Sequence, residues 1–266
     1  MPELTEPFTL LQNVLTRGDL DFLKTCCKRT LLQEGVPCFA LLDHQQSQVF
    51  IKIKHAVENL LVQQVHYLND FYIYTDSSFR TNWHMDTELF TFESAVNAWI
   101  LLSPETVVDP LGFIWDLNDS DDRYYHSVAI KDGECSFRNY RTGKTVTKLL
   151  AQVEAEQART PTINQGDVLI LNPKRFHKTN VTSAKHAFAI KFVFGHQKGF
   201  LSPKQVPSMF WPEVKTYNDI VKSCARWEDV IGEVRVALKS ADGKKKLSSG
   251  FYPEKFDLYK QMVQTL

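Results

Sequence analysis

The segment Arg80-Thr-Asn-Trp-His84-Met-Asp86 sets an imidazole and a carboxylate two residues apart between apolar and aromatic neighbours. On a strand, alternate residues share a face, so His84 and Asp86 would project together. A nitrogen and an oxygen donor on one face can grip one side of a metal ion. A second histidine would complete a two-histidine, one-carboxylate triad that leaves three coordination positions open. His177, in the later strand-like stretch Arg175-Phe-His177-Lys-Thr-Asn, is the candidate third ligand. The plain alternative for His84 and Asp86 is a buried polar pair with no metal.

The elements around these residues divide into three parts. Residues 1–68 read as N-terminal helices: Phe8 to Leu15 carries apolar residues at helical spacing, a second helix runs from Asp19 to about Leu32, and a long amphipathic helix covers Gln48 to Leu68. Val36 to Leu42 reads as a buried strand between them. His55 and His66 fall on the long helix as solvated or packed residues.

Residues 69–200 form the β core. Short β-rich runs occur at Phe71 to Tyr74, Arg80 to Asp86, Ala95 to Leu102, Gly112 to Leu117, Tyr124 to Lys131 and Glu134 to Tyr140, with Asp132-Gly133 as a hairpin turn. A helical insertion is expected over 144–158, after which strands resume at Asp167 to Leu171, Arg175 to Val181 and His186 to Phe194. Closely spaced strands of this kind predict a sandwich or barrel. Residues 201–266 read as a C-terminal helical extension, with Lys244 to Lys246 as a solvated loop. One domain with terminal extensions accommodates the 266 residues.

The balance of 31 basic against 31 acidic residues gives no overall field for nucleic acid or an anionic membrane, so partners are to be sought in a pocket. Five cysteines without a Cys-x-x-Cys indicate neither a disulfide framework nor a zinc knuckle. The acidic start lacks signal-peptide character and no apolar run reaches membrane-spanning length, which predicts a soluble cytoplasmic protein.

Four patches together, Trp83-His84-Met-Asp86, Asn97-Ala-Trp-Ile-Leu-Leu, Gly166-Asp-Val-Leu-Ile-Leu-Asn-Pro-Lys-Arg-Phe-His177-Lys-Thr-Asn and Ala187-Phe-Ala-Ile-Lys-Phe, resemble the iron(II) and 2-oxoglutarate-dependent oxygenases of the phytanoyl-CoA dioxygenase type. The resemblance covers roughly residues 69 to 195. It implies a mainly β chain with flanking helices and a double-stranded β-helix (jelly-roll, cupin-like) core, with His84, Asp86 and His177 as iron ligands. It also implies Fe(II), 2-oxoglutarate and O2 as cofactors, with ascorbate supportive in vitro, and hydroxylation of an unactivated C–H bond of a small-molecule substrate with succinate and CO2 as co-products. A halogenase of the same family would need a small residue where Asp86 stands. A cupin-like metal binder or sensor without oxygen chemistry, or a hydroxylase acting on protein, are the other readings.

Such oxygenases hold the far carboxylate of 2-oxoglutarate with an arginine shortly after the distal histidine, but no arginine lies between His177 and Gly195. By alignment with the family motif Lys185 takes that position. Alternation puts Lys185, Ala187, Ala189 and Lys191 on one face and His186, Phe188, Ile190, Phe192 and Phe194 on the other. The two alanines leave room for a ligand, so the first face is assigned to the cavity and the second to the helices. A hairpin pairing Thr179 with Lys185 and His177 with Ala187 would bring the Thr179 hydroxyl and the Lys185 ammonium onto one carboxylate. Lys191 is the alternative anchor.

Overall fold

The structure, a computed structural model, describes residues 7–77, 83, 95–114, 125–139, 142–173, 175–180, 184–194, 220, 223–224, 227–243 and 256–266. The chain enters as strand β1 (Phe8–Leu11), not as the helix expected over Phe8 to Leu15. Four residues are too few to distinguish the two periods. A tertiary partner decides the matter, since β1 pairs antiparallel with Val168–Leu171.

Helix α1 (Arg17–Arg29) starts at Thr16 with a reciprocal capping box to Asp19 and buries Leu20, Leu23, Cys26 and Cys27. A π-helical turn, Thr30–Glu34, carries it to Gly35, whose φ of 74° ends it. Helix α2 (Gln48–Leu61), capped by Ser47, stops earlier than the expected Leu68 because Val62 turns left-handed at φ 52°. From Val65 the chain is already strand β2 (Val65–Thr75).

Val36 to Leu42 is buried as expected but is not a strand: it meets its neighbour only through the isolated Cys38–Phe71 bridge. Two of its amides are satisfied by one side chain, and Val36 N, Phe39 N and Leu42 N by the backbone carbonyls of Thr30, Asp70 and Phe39. The Asp70 carboxylate accepts hydrogen bonds from Ala40 N (2.7 Å), Leu41 N (2.8 Å) and the Tyr67 hydroxyl (2.8 Å). Burial raises the Asp70 pKa to about 6 against the pull of these donors.

The remaining strands are β3 (Ala95–Ser103), β4 (Thr106–Val107), β5 (Leu111–Ile114), β6 (Tyr125–Lys131), β7 (Glu134–Asn139), β8 (Thr145–Leu149), β9 (Ala158–Arg159), β10 (Ile163–Asn164), β11 (Val168–Leu171), β12 (Phe176–Thr179) and β13 (Lys185–Phe194). The major sheet has the order β1-β11-β3-β13-β2 and the minor one β12-β5-β9, while β10 pairs with β4 and β6-β7-β8 form a separate three-stranded sheet. The helix expected over 144–158 is part strand. Thr145 to Leu149 has alternating exposure and pairs with β7, and only Leu150–Glu156 is helical (α3). Asp132 (φ 51°) and Gly133 (φ 79°) form the expected hairpin turn.

Strand β13, between β3 and β2, separates two apolar clusters. Phe188, Ile190 and Phe192 pack with Val49, Phe50 and Ile53 of α2, and Ala187 and Ala189 pack with Trp99 and Leu101 of β3 and with Leu111 and Phe113 of the minor sheet. The major sheet thus carries helices on one face and opposes the minor sheet with the other. This is the jelly-roll arrangement expected from the sequence. At the C-terminus, α4 (Trp227–Leu238) buries Val230 and Val234, and α5 (Phe256–Val263) sets the Tyr259 ring edge-on to Tyr72 at 5.8 Å.

Candidate active site between the two sheets

Strand β12 supplies the first functional side chain. Its residues alternate, and the register pairs His177 with Phe113 and Thr179 with Leu111. Both partners belong to the inner cluster, so His177 and Thr179 face the space between the sheets. The His177 ring is 6 % exposed and stacks on Phe113 with centroids 5.7 Å apart.

His177 Nδ1 lies 2.9 Å from the Arg175 carbonyl. In the neutral ring Nδ1–H donates to that oxygen, which places the lone pair on Nε2. This is the tautomer and second contact that a metal-ligating histidine needs.

His84 and Asp86 lie outside the described residues, and so does most of the expected strand Arg80 to Asp86. Trp83, the residue before His84, is described and is 2 % exposed. Its indole Nε1 donates to Glu154 Oε1 at 3.2 Å. Lys178, the residue after His177, forms an ion pair with the other oxygen of the same carboxylate and holds its ammonium 5.1 Å from the Trp83 ring centroid. Sequence reasoning missed Glu154, a helical residue that Trp83 and Lys178 reach from 71 and 24 residues away.

Lys185 opens β13 and is 2 % exposed. Its Nζ donates to the Asn180 carbonyl at 2.5 Å and to the Pro110 carbonyl at 3.3 Å. Burial lowers its pKa to about 8, partly offset by Asp109. The expected hairpin between β12 and β13 does not form: β12 pairs with β5, and β13 with β2 and β3. The two strands belong to opposite sheets, so Thr179 and Lys185 look into the cavity from its two walls. The residue opposite Lys185 is Thr75 of β2, which sequence reasoning missed. The Thr75 hydroxyl is buried and has no hydrogen-bond partner among the described residues.

Lys191 shares the inner face of β13 and is fully buried, with its ammonium 4.9 Å from the Phe71 ring centroid. Asn69 and Asn97 stand beside it on the neighbouring strands. Six residues of strand separate the two lysines, about 20 Å at the usual rise. They therefore serve opposite ends of the cavity. Lys185 is at the Thr179 end, through its bond to Asn180, and His177 lies two residues back along β12, about 7 Å.

No family model matches the sequence, and no curated protein matches it. Solved structures do. The non-heme alpha-ketoglutarate-dependent carbocyclase SnoK from nogalamycin biosynthesis superposes with a TM-score of 0.50 at 15 % identity, over 71 % of this chain and 80 % of SnoK. A nickel complex of the non-heme monooxygenase ThoJ gives 0.49 at 14 % identity, over 86 % and 96 % of the two chains. The epimerase SnoN, in complex with Fe3+, alpha-ketoglutarate and nogalamycin RO, gives 0.48 at 14 % identity over 71 % and 79 %. At such identity the likeness to SnoK concerns the fold alone, and together with the two opposed sheets it gives this chain a double-stranded β-helix fold.

Proposed function

We propose that the protein is an iron(II)- and 2-oxoglutarate-dependent oxygenase that hydroxylates an unactivated C–H bond of a small molecule in the cytoplasm. The observation that carries this reading is the placement of two buried groups between the sheets: a histidine in the metal-ligating tautomer on the minor sheet, and a lysine of the major sheet whose ammonium reaches the Asn180 carbonyl, one residue past β12. His177, with His84 and Asp86, would hold the iron and leave three positions open. Both cofactor ends find matching groups: Nε2 of His177 for the metal, and for the far carboxylate the Lys185 ammonium with Thr75, its register partner on β2. Thr179 reaches the same end from the minor sheet.

When bound, iron and 2-oxoglutarate supply dioxygen activation, releasing succinate and CO2 and delivering a hydroxyl group to the substrate. The chain supplies the rest. The Arg175 carbonyl fixes the His177 ring, and Phe113 holds it flat from one side. Ala187 and Ala189 put small side chains on the inner face of β13, and Trp99, Leu101, Leu111 and Phe113 of the same buried cluster make the surroundings apolar.

The test is succinate formation from 2-oxoglutarate by the purified protein with Fe(II), ascorbate and air. Turnover in the wild type, lost on alanine substitution of His84, Asp86 or His177, is the expected result. Metal binding without succinate would favour a cupin-like binder or sensor. Chlorinated product from the unmodified protein would overturn the choice of hydroxylase.

A further inference from the structure

The outer face of the minor sheet is braced in an unusual way. Phe176 and Lys178, which flank His177, point away from the cavity by alternation. Phe176 packs edge-on against Phe137 of β7 at 4.6 Å, and Lys178 pairs with Glu154 of α3. The same Glu154 carboxylate accepts the buried Trp83 indole N–H. Gln157 locks that carboxylate: its Nε2 donates to Glu154 Oε2 at 3.2 Å and to the Glu154 carbonyl at 2.9 Å. Gln157 itself rests on Gly112, where a Cβ atom would meet its Oε1 at 2.2 Å. Gly112 is the register partner of Lys178, so the whole brace sits on one side of the sheet.

We infer that Glu154 is a positioning residue for the metal centre, gripping on one carboxylate the residue before His84 and the residue after His177. This rests on the reading of those histidines as metal ligands. Neighbouring Cα atoms are about 3.8 Å apart across a trans peptide, so a hold on Trp83 and Lys178 is a hold one residue from each ligand. A buried indole N–H needs an acceptor, and a half-buried ammonium needs a counter-charge. Both depend on Glu154 keeping its place. Loss of such outer support typically weakens metal binding by about 10- to 100-fold.

The experiment is calorimetric titration of the full chain with Ni(II). Wild type binds one Ni(II) and His177→Ala does not. Glu154→Ala raises the Ni(II) Kd at least tenfold. The double variant Glu154→Gln with Lys178→Met, which keeps an acceptor for Trp83 and removes the unpaired charge, restores the Kd to within about threefold of wild type. Val234→Ala, in the buried face of α4 away from the brace, lowers the melting temperature and leaves the Kd unchanged. A Glu154→Ala Kd within twofold of wild type overturns the inference alone, as does equal weakening by Val234→Ala or failure of the double variant to restore binding. Absence of Ni(II) binding by the wild type overturns the metal reading and the inference with it.

Discussion

Lys185 offers a test of cofactor recognition that can be worked from its surroundings. Burial holds its pKa at about 8, so roughly nine-tenths of the side chains are charged at pH 7 and roughly one-tenth at pH 9. Both carboxylates of 2-oxoglutarate stay ionised across that range, so only the lysine changes. If the charged form alone binds the far carboxylate, the apparent Kd for 2-oxoglutarate rises about tenfold between pH 7 and pH 9, about 1.4 kcal/mol. Lys185→Arg, charged at both pH values, removes this slope, and Lys185→Ala weakens binding at least tenfold at pH 7 with no slope remaining. The assay is titration of the Ni(II)-loaded protein with 2-oxoglutarate at constant ionic strength. A flat wild-type profile, or an equal slope in Lys185→Arg, refutes the assignment and moves the anchor to Lys191.

Two buried groups give the fold opposite responses to acid. Burial and the nearby Lys24 and Lys28 hold the His186 pKa at about 4, below its ordinary 6.5, so the unfolded chain takes up the proton first and stability falls by about 2 kcal/mol from pH 7 to pH 5. Asp70, raised from 3.8 to about 6, binds its proton first in the folded state and returns about 1 kcal/mol over the same interval. In urea unfolding, His186→Gln should therefore gain stability at pH 5 relative to wild type, and identical pH slopes would refute the account. Gly166 has φ +98°, and a Cβ there would lie 2.7 Å from the Leu15 carbonyl. Gly166→Ala should cost about 2 to 3 kcal/mol in a thermal melt, whereas Gly143→Ala, left-handed at φ +75° but with open space around it, should cost about 1 kcal/mol.

Much of the cavity's geometry could be read from alternation. The division of β13 into a face with Lys185, Ala187, Ala189 and Lys191 and a face with Phe188, Ile190 and Phe192 is the division between the two clusters. Long apolar runs such as Ala95–Ser103 and Val168–Leu171 declare themselves because both faces are covered. What failed depended on distant partners. Phe8–Leu11 is a strand because β11 accepts it, and Val36 to Leu42 stays irregular where the Asp70 carboxylate takes the Ala40 and Leu41 amides. The β12–β13 hairpin was the natural local reading, but neighbours in sequence lie in opposite sheets here, which no local pattern records. Thr75 and Glu154 acquire their roles only from residues brought beside them by the fold.

The same dependence on remote partners governs how the molecule is made. Val65 of β2 pairs with Phe194 of β13, and Phe8 of β1 with Leu171 of β11, so the closures span roughly 130 to 160 residues. A chain leaving the ribosome displays β2, with Tyr67, Tyr72 and Tyr74 uncovered, until its partner β13 has been synthesised. Such high contact order makes folding slow, and the open edge of β2 during that wait is a place where two nascent chains can pair with each other instead.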